Sequence, residues 1–368
     1  MKVIQILPEL NGGGVERGTL ELGRFLVEEG HESLVISNGG RMVPELEEGG
    51  SRHIALPVHK KRLWSLRQVR VLRKLLEQES PDILHLRSRL PAWLAWLAWR
   101  KMDPGTRPRL VTTVHGFYSV NQYSAIMTFG EKVICVSDSV KDYVLQNYPK
   151  VSPEKLTVIH RGVDPSAYPF GYRPSEDWME QWYRDFPETR EKFLLTLPGR
   201  ITRLKGHEDL IQMIAALPKD QPIHAVIAGG ADSKKEAYLA ELKDLAQKQG
   251  ISDRLTFAGH RSDMKEVLAL SDVVLSLSQK PESFGRTTLE ALCLGKAVIG
   301  YDHGGVGEIL RHLFPRGLIP FGDLAALQKT LQGWVPQPPR PNPENPFTLE
   351  KMLVNTVASY EEIVARES

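Results

Sequence analysis

Several things are scarce in this chain, and each shortage excludes a class of protein. There are only two cysteines, Cys135 in an apolar run and Cys293 on an expected helix. Two are too few for a disulfide framework, and both read as buried thiols in a reducing compartment. No run of about 18 apolar residues is present that would span a bilayer. The first ten residues, MKVIQILPEL, form a short apolar strand that stops at a proline and lack the plan of a signal peptide. A cytoplasmic protein is therefore expected. Net charge is only +2, so no global field draws nucleic acid, and any anion binding must be local.

What is present is the composition of a folded globular protein, with 41% hydrophobic and 25% charged residues. At 368 residues the chain exceeds one small core and predicts two domains. Strands alternate with helices on both sides of Pro165, which argues for two α/β domains with mostly parallel sheets. Residues 165–191, with Pro165, Pro169, Pro174 and Pro187 among aromatics, read as a linker with short helices.

The richest stretch is 271–309. An apolar strand at 273–277 breaks at Pro281 into a Gly-containing turn, and a helix is expected from about Ser283. Glu282 sits on the turn and Glu290 lies a little over two helical turns further on, so both can face one crevice. The backbone N–H groups of Ser283, Phe284, Gly285 and Arg286 fall at the helix start, where unpaired donors and the dipole favour an anion. A second strand at 297–301 leads to a turn at Gly304-Gly305, where backbone can approach a ligand. Taken alone, two glutamates on a βαβ unit are more often solvated helix charges.

Earlier in the chain, a strand at 2–7 enters a Gly-rich turn at 11–14 and then a helix from about Val15, the order of a nucleotide-type domain. A dinucleotide reading fits poorly. The glycines stand at 12, 14 and 18, and the second strand ends at Asn38 with no acid to hold a ribose. Residues 59–74 are basic and helical, with Leu66, Val69, Leu72 and Leu76 on one stripe and Arg67, Arg70, Arg73 and Lys74 away from it. Such a helix is commonly just a solvated face. The absence of acids before Glu77 tilts the reading toward an anionic membrane surface or a phosphorylated acceptor.

A strand at 83–86 is followed by Arg87-Ser88-Arg89, where paired guanidiniums past a strand end suit an acceptor phosphate or carboxylate. Trp93, Trp96 and Trp99 recur at a spacing typical of core packing and also compatible with a lipid headgroup region. His115 ends a further strand, on the edge where ligands collect. In the second half, a strand at 193–197 runs into Pro198-Gly199-Arg200 and Lys205-Gly206, so that Arg200 and Lys205 share one loop. Taken alone, these are two exposed cations in a turn.

Glu282-Ser283-Phe284-Gly285 through Glu290-Ala291-Leu292, with Gly295 and Gly304-Gly305 behind them, resembles the signature of retaining nucleotide-sugar glycosyltransferases of the glycogen-synthase-like family four. The loop at 199–206 resembles the same family's Gly-Arg, four residues, Lys-Gly motif, and His160 to Asp164 resembles its domain-junction turn, with Arg161 where an Asn is usual. The resemblance implies the GT-B fold, two facing Rossmann-like domains with a deep interdomain cleft. Residues 1–165 with the closing helix 348–368 would bind the acceptor, and 166–347 the nucleotide-sugar. It implies Arg200 and Lys205 on the diphosphate, Glu290 on ribose hydroxyls, Glu282 on the donor sugar, and Arg261 near the base. It also implies His115 and Gly13-Gly14 closing the site, with Arg87 and Arg89 toward the acceptor. Transfer with retention, from a uridine diphosphate sugar, is the implied chemistry, without cofactor or metal. The first half is similar to enzymes of the lipopolysaccharide core. That suggests a saccharide or glycolipid acceptor at the cytoplasmic face of the inner membrane, and no nucleic acid. A soluble acceptor, or a non-catalytic nucleotide-binding protein, is the rival expectation.

Overall fold

The computed structural model describes residues 1–60, 63–230 and 236–365, with the side chains at 63 and 64 left out. The chain divides into two compact units, residues 1–160 with 349–368, and residues 161–348.

The first unit is built on seven parallel strands: β1 (Lys2–Ile6), β2 (Glu32–Ser37), β3 (Arg52–Ala55), β4 (Ile83–Leu86), β5 (Arg109–Val114), β6 (Lys132–Cys135) and β7 (Leu156–Val158). They stand in the order β3-β2-β1-β4-β5-β6-β7. β1 and β4 are buried almost throughout and mainly apolar, as strands covered on both faces must be, with Gln5 and His85 as their buried polar exceptions. Val3 pairs with Ser33 on one side and Ile83 on the other, so the strand order reverses at β1. Where order reverses in such a sheet, the loops beyond the carboxyl ends part and leave a crevice.

The closing helix Leu349–Ala365 belongs to this first unit. Met352, Leu353, Val357, Tyr360 and Ile363 pack against Val3, Leu22, Leu26, Ile83 and Val111. Each fully buried side chain of that size is worth about 1.5–3 kcal/mol of transfer free energy. A polar lock adds direction: the Tyr360 hydroxyl lies 2.6 Å from His85 Nδ1, and His85 Nε2 lies 2.7 Å from Thr113 Oγ1.

The second unit repeats the plan with six parallel strands: β8 (Phe193–Pro198), β9 (Ile223–Ala228), β10 (Leu255–Gly259), β11 (Val273–Ser276), β12 (Ala297–Tyr301) and β13 (Leu318–Ile319). Their order is β10-β9-β8-β11-β12-β13, reversing at β8. One core of Leu195, Leu197, Ile227, Leu275, Leu289, Ile299 and their neighbours fills the space between sheet and helices. The loops after β8 and β11, which carry Arg200, Lys205 and Glu282, therefore flank the reversal point of this sheet.

Some expectations are corrected here. Gly304-Gly305 is the first turn of a helix, Gly304–Leu313, rather than a free turn. In the basic helix Arg67–Glu79, Val69, Leu72 and Leu76 are buried, but Leu66 is 54% exposed, because it precedes the helix and does not turn onto its apolar stripe. Of the basic stretch 59–74, residues 61 and 62 lie outside the described residues. The three tryptophans pack against the first unit's core, with Trp93 and Trp99 indoles donating to the carbonyls of Tyr123 and Pro108.

Candidate active site

Two glycines shape the second unit's site. Gly206 has φ +74, and a Cβ there would lie 2.0 Å from the Leu277 carbonyl oxygen, so the loop after β8 presses directly on the loop after β11. Gly305 has no such torsion. A Cβ on it would lie 2.3 Å from the Phe284 Cα, so the glycine lets the 281–285 turn sit on the next helix, with the Gly305 N–H donating to the Glu282 carbonyl at 2.8 Å.

That packing sets Glu282 among its partners. Lys205 Nζ lies 2.7 Å from Glu282 Oε1, the Ser278 hydroxyl donates to the same oxygen, and the side chains of Lys205 and Glu282 are 31% and 27% exposed. Burial pushes the Glu282 carboxyl up, but Lys205, Ser278 and His303 together outweigh it and hold the group below the usual carboxylate value. His303 caps this cluster. Its Nε2 lies 2.8 Å from the Ser278 carbonyl oxygen, which makes Nε2 the protonated nitrogen, and its ring stacks on Phe321. Burial lowers the His303 pKa, so the ring is held toward its neutral form.

The helix expected from Ser283 begins instead at Arg286, with Gly285 at φ +89 as its N-cap. The left-handed glycine, next to the buried Phe284, ends the turn three residues later than the sequence pattern suggests. The first-turn N–H groups are accordingly those of Arg286, Thr287 and Thr288 rather than Ser283 and Phe284. A narrow cavity beside them is lined by Lys205, Glu282, Gly285, Thr287 and Thr288. Glu290 is buried to 9% exposure and accepts from Arg286 Nε at 2.9 Å. Tyr168 reaches the same carboxylate, and burial together with Glu290 pushes its hydroxyl up to about 12. Arg200 is exposed in the loop after β8, and no carboxylate pairs with it among the described residues. Arg261 is partly engaged: one edge of its guanidinium, Nε and Nη2, donates to the Asp263 carboxylate.

In the first unit, Gly13 is the N-cap of the helix Gly14–Glu28, and both glycines are exposed. His115 follows β5, its N–H donating to the Tyr118 hydroxyl at 3.2 Å. Arg89 is half-buried, bonded to Ser124 Oγ at 3.1 Å and lying over the Tyr118 ring at 4.7 Å. Arg87 corrects the expectation of a paired clamp. It is 4% exposed, donates to Gln5 Oε1 at 2.9 Å and belongs to the interior, where burial lowers its pKa to about 10. The Arg-Ser-Arg spacing sends one guanidinium inward under β1, leaving Arg89 alone near the edge.

Sequence reasoning did not pick out Ser278, His303, Tyr168 or Thr287. Ser278 and His303 each follow a strand end of the second sheet, the one signal that would have marked them.

Comparison with known proteins agrees with this plan. Residues 12–167 match the model described as Glycosyltransferase Family 4, and residues 179–344 match that of Glycosyl transferases group 1. The chain is a glycosyltransferase, its first unit matching the family 4 model. The glycosyltransferase is 27% identical over 325 residues to N-acetyl-alpha-D-glucosaminyl L-malate synthase of Bacillus anthracis, covering 84% of this chain and 80% of that one. Its structure is similar to a glycosyltransferase from Rickettsia africae, with TM-score 0.86, 26% identity and 100% and 99% of the two chains covered. It is also similar in fold to Anabaena HepE in complex with UDP, with TM-score 0.76, 20% identity and 100% and 99% covered. Its two Rossmann-like units are those of GT-B glycosyltransferases.

Proposed function

We propose that this glycosyltransferase moves a hexosyl group, with retention, from a uridine diphosphate sugar to a saccharide acceptor. The carrying observation is the Lys205–Glu282 pair at the sheet reversal, with Arg200, which has no carboxylate partner among the described residues, in the same loop as Lys205. On this reading Arg200 and Lys205 take the diphosphate, whose negative charge grows as the sugar departs. Glu282 accepts from donor-sugar hydroxyls, and Glu290, fixed by Arg286 and Tyr168, accepts from the ribose. The N–H groups at the start of the helix Arg286–Cys293 hold phosphate oxygens. The uridine assignment is supported by the fold shared with HepE, whose structure contains UDP. The leaving phosphate takes the acceptor proton on the same face of the sugar, and the positive charge needed comes from side chains rather than a metal.

The first unit, with Gly13-Gly14, His115 and Arg89, is read as the acceptor side. The exposed Arg67, Arg70 and Lys74 on one helix support an acceptor carried by an anionic membrane, a glycolipid of the lipopolysaccharide-core kind. A second reading, a small soluble carboxylate acceptor, is favoured by the relative named as an L-malate synthase. Sedimentation with anionic vesicles and release by salt separates the two.

The donor reading is tested by melting and calorimetric titration with uridine, guanosine and adenosine diphosphates and NAD. UDP raising the melting temperature, and losing that effect in Lys205→Ala, is the expected result. Protection by NAD alone, or UDP protection that survives Lys205→Ala with Arg200→Ala, would defeat it.

A further inference from the structure

The second unit has another cavity, at the opposite end of its sheet from Lys205 and Glu282. Its volume is about 600 Å³, within the range of small-molecule sites. Asp272 and Ala297, at the amino ends of β11 and β12, form its floor, and residues 336–340 form one wall.

Three cations from three separate segments line it, Arg173, Lys296 and Arg340, against the single carboxylate of Asp272. That carboxylate also accepts from the Leu194 N–H at 2.7 Å through Oδ2, and its single charge faces three cations. The helix Arg286–Cys293 ends here, and its last carbonyls would ordinarily attract such cations. They are taken, however. Leu292 and Ala291 carbonyls accept from Gly295 and Lys296 N–H groups, and the Leu294 carbonyl accepts from Gly171. None of the three cationic side chains has an ion pair or hydrogen bond among the described residues. Lys296 is the most enclosed of them: burial lowers its pKa, Asp272 opposes that, and Arg173 and Arg340 reinforce it. Like charges gathered this closely are unfavourable without an anion between them.

An apolar surface adjoins the charges. A Cβ on Gly295 would come 3.1 Å from the Phe170 ring, so the glycine admits that ring at the pocket, where Phe170 is 43% exposed.

We propose that this cavity binds a small phosphomonoester, its phosphate held by Arg173, Lys296 and Arg340 and its organic part resting on Phe170. Two guanidinium forks and an ammonium match a tetrahedral dianion, since each fork can donate to two of its oxygens. A monocarboxylate would leave part of the positive charge uncompensated.

The test is calorimetric titration of the full chain with glycerol 3-phosphate and, separately, with inorganic phosphate. Both should bind the wild-type protein, the first more tightly. The double variant Arg173→Gln with Arg340→Gln, both at exposed positions, should weaken both ligands at least about tenfold. Phe170→Ser should weaken glycerol 3-phosphate while leaving inorganic phosphate unchanged. Saturating UDP, which on the reading above fills the loop of Arg200 and Lys205 at the other end of the sheet, should leave the binding of both ligands unchanged. Lys296→Gln provides an independent second loss. No binding to wild type at 10 mM ligand (about the weakest range of interest), equal binding in the double variant, or binding abolished by UDP would each overturn the proposal.

Discussion

Lys205 and Glu282 meet at 2.7 Å although 77 positions separate them in the chain. Their loops leave neighbouring strands β8 and β11, so the sheet's parallel pairing, Leu195 opposite Val273, fixes the meeting. The pair also sets the charge of the site. Lys205 is the strongest of the groups that oppose burial at Glu282, so its loss would raise the Glu282 pKa.

That gives a signed pH prediction for Lys205→Met. Because the Glu282 carboxyl is held low in the native protein, it is ionised through neutrality and loses its charge only as pH falls through that low value. In Lys205→Met the carboxyl should protonate at higher pH. The acid limb of the pH–rate profile is expected to move toward neutrality, and donor turnover should fall by about 10²–10³. A lowered rate with an unmoved acid limb would show that Lys205 acts on the substrate without controlling Glu282.

Glycine substitutions separate the packing of the two loops from their chemistry. Gly206→Ala must absorb both a left-handed torsion and a Cβ 2.0 Å from the Leu277 oxygen, and is expected to cost at least about 2 kcal/mol. Gly305→Ala has no torsional problem and instead pushes the turn bearing Phe284 off the helix Gly304–Leu313. Gly305→Ala should therefore lower donor affinity along with the melting temperature. Donor titration at a temperature where the variant is fully folded checks this.

Much of the architecture could be read before any coordinates, and what escaped did so for physical reasons. Most strands of both sheets are short, mainly apolar runs bounded by turn residues, and such runs mark a strand in the sequence. β3 reads Arg52-His53-Ile54-Ala55, a half-exposed edge strand with no apolar signature, and it was missed. The site loops were legible because cations, carboxylates and glycines cluster there. The start of the helix at Arg286 was not, because only the left-handed torsion of Gly285 stops it earlier, and torsions are invisible in a string of letters. Arg87 misled for a related reason: a strand end says where a side chain starts, while its direction depends on Gln5 beneath it.

Arg87 can be tested as an interior residue. Arg87→Met removes the donor to Gln5 Oε1 in a buried setting, which should cost about 1–3 kcal/mol. The KM for the acceptor should stay within a factor of two or so of wild type, because the guanidinium does not reach the surface. A large rise in acceptor KM without loss of stability would restore the clamp. Tyr360→Phe provides the companion measurement. It breaks the bond to His85 Nδ1, and should lower the melting temperature by about 2–4 °C per kcal/mol lost.

His207 links the Lys205 loop to acid stability. It opens the helix His207–Ala216, is fully buried, and points Nδ1 at the Thr202 carbonyl oxygen, 3.3 Å away. Burial lowers its pKa to about 4, against 6.5 for the free side chain, with the Thr202 carbonyl opposing and Lys205 adding to the fall. Between those two values the unfolded chain binds a proton that the folded chain refuses, so stability rises with pH across that window. Full stability from this group is present above about pH 6.5 and is lost as pH falls toward 4, for a total of about 3 kcal/mol. Urea unfolding of wild type and His207→Asn at half-unit intervals reads the difference directly. The wild-type slope should be steeper between pH 4 and 6.5, and the two curves should run parallel above it. Parallel curves throughout would mean that His207 titrates in the folded protein as it does in the unfolded chain.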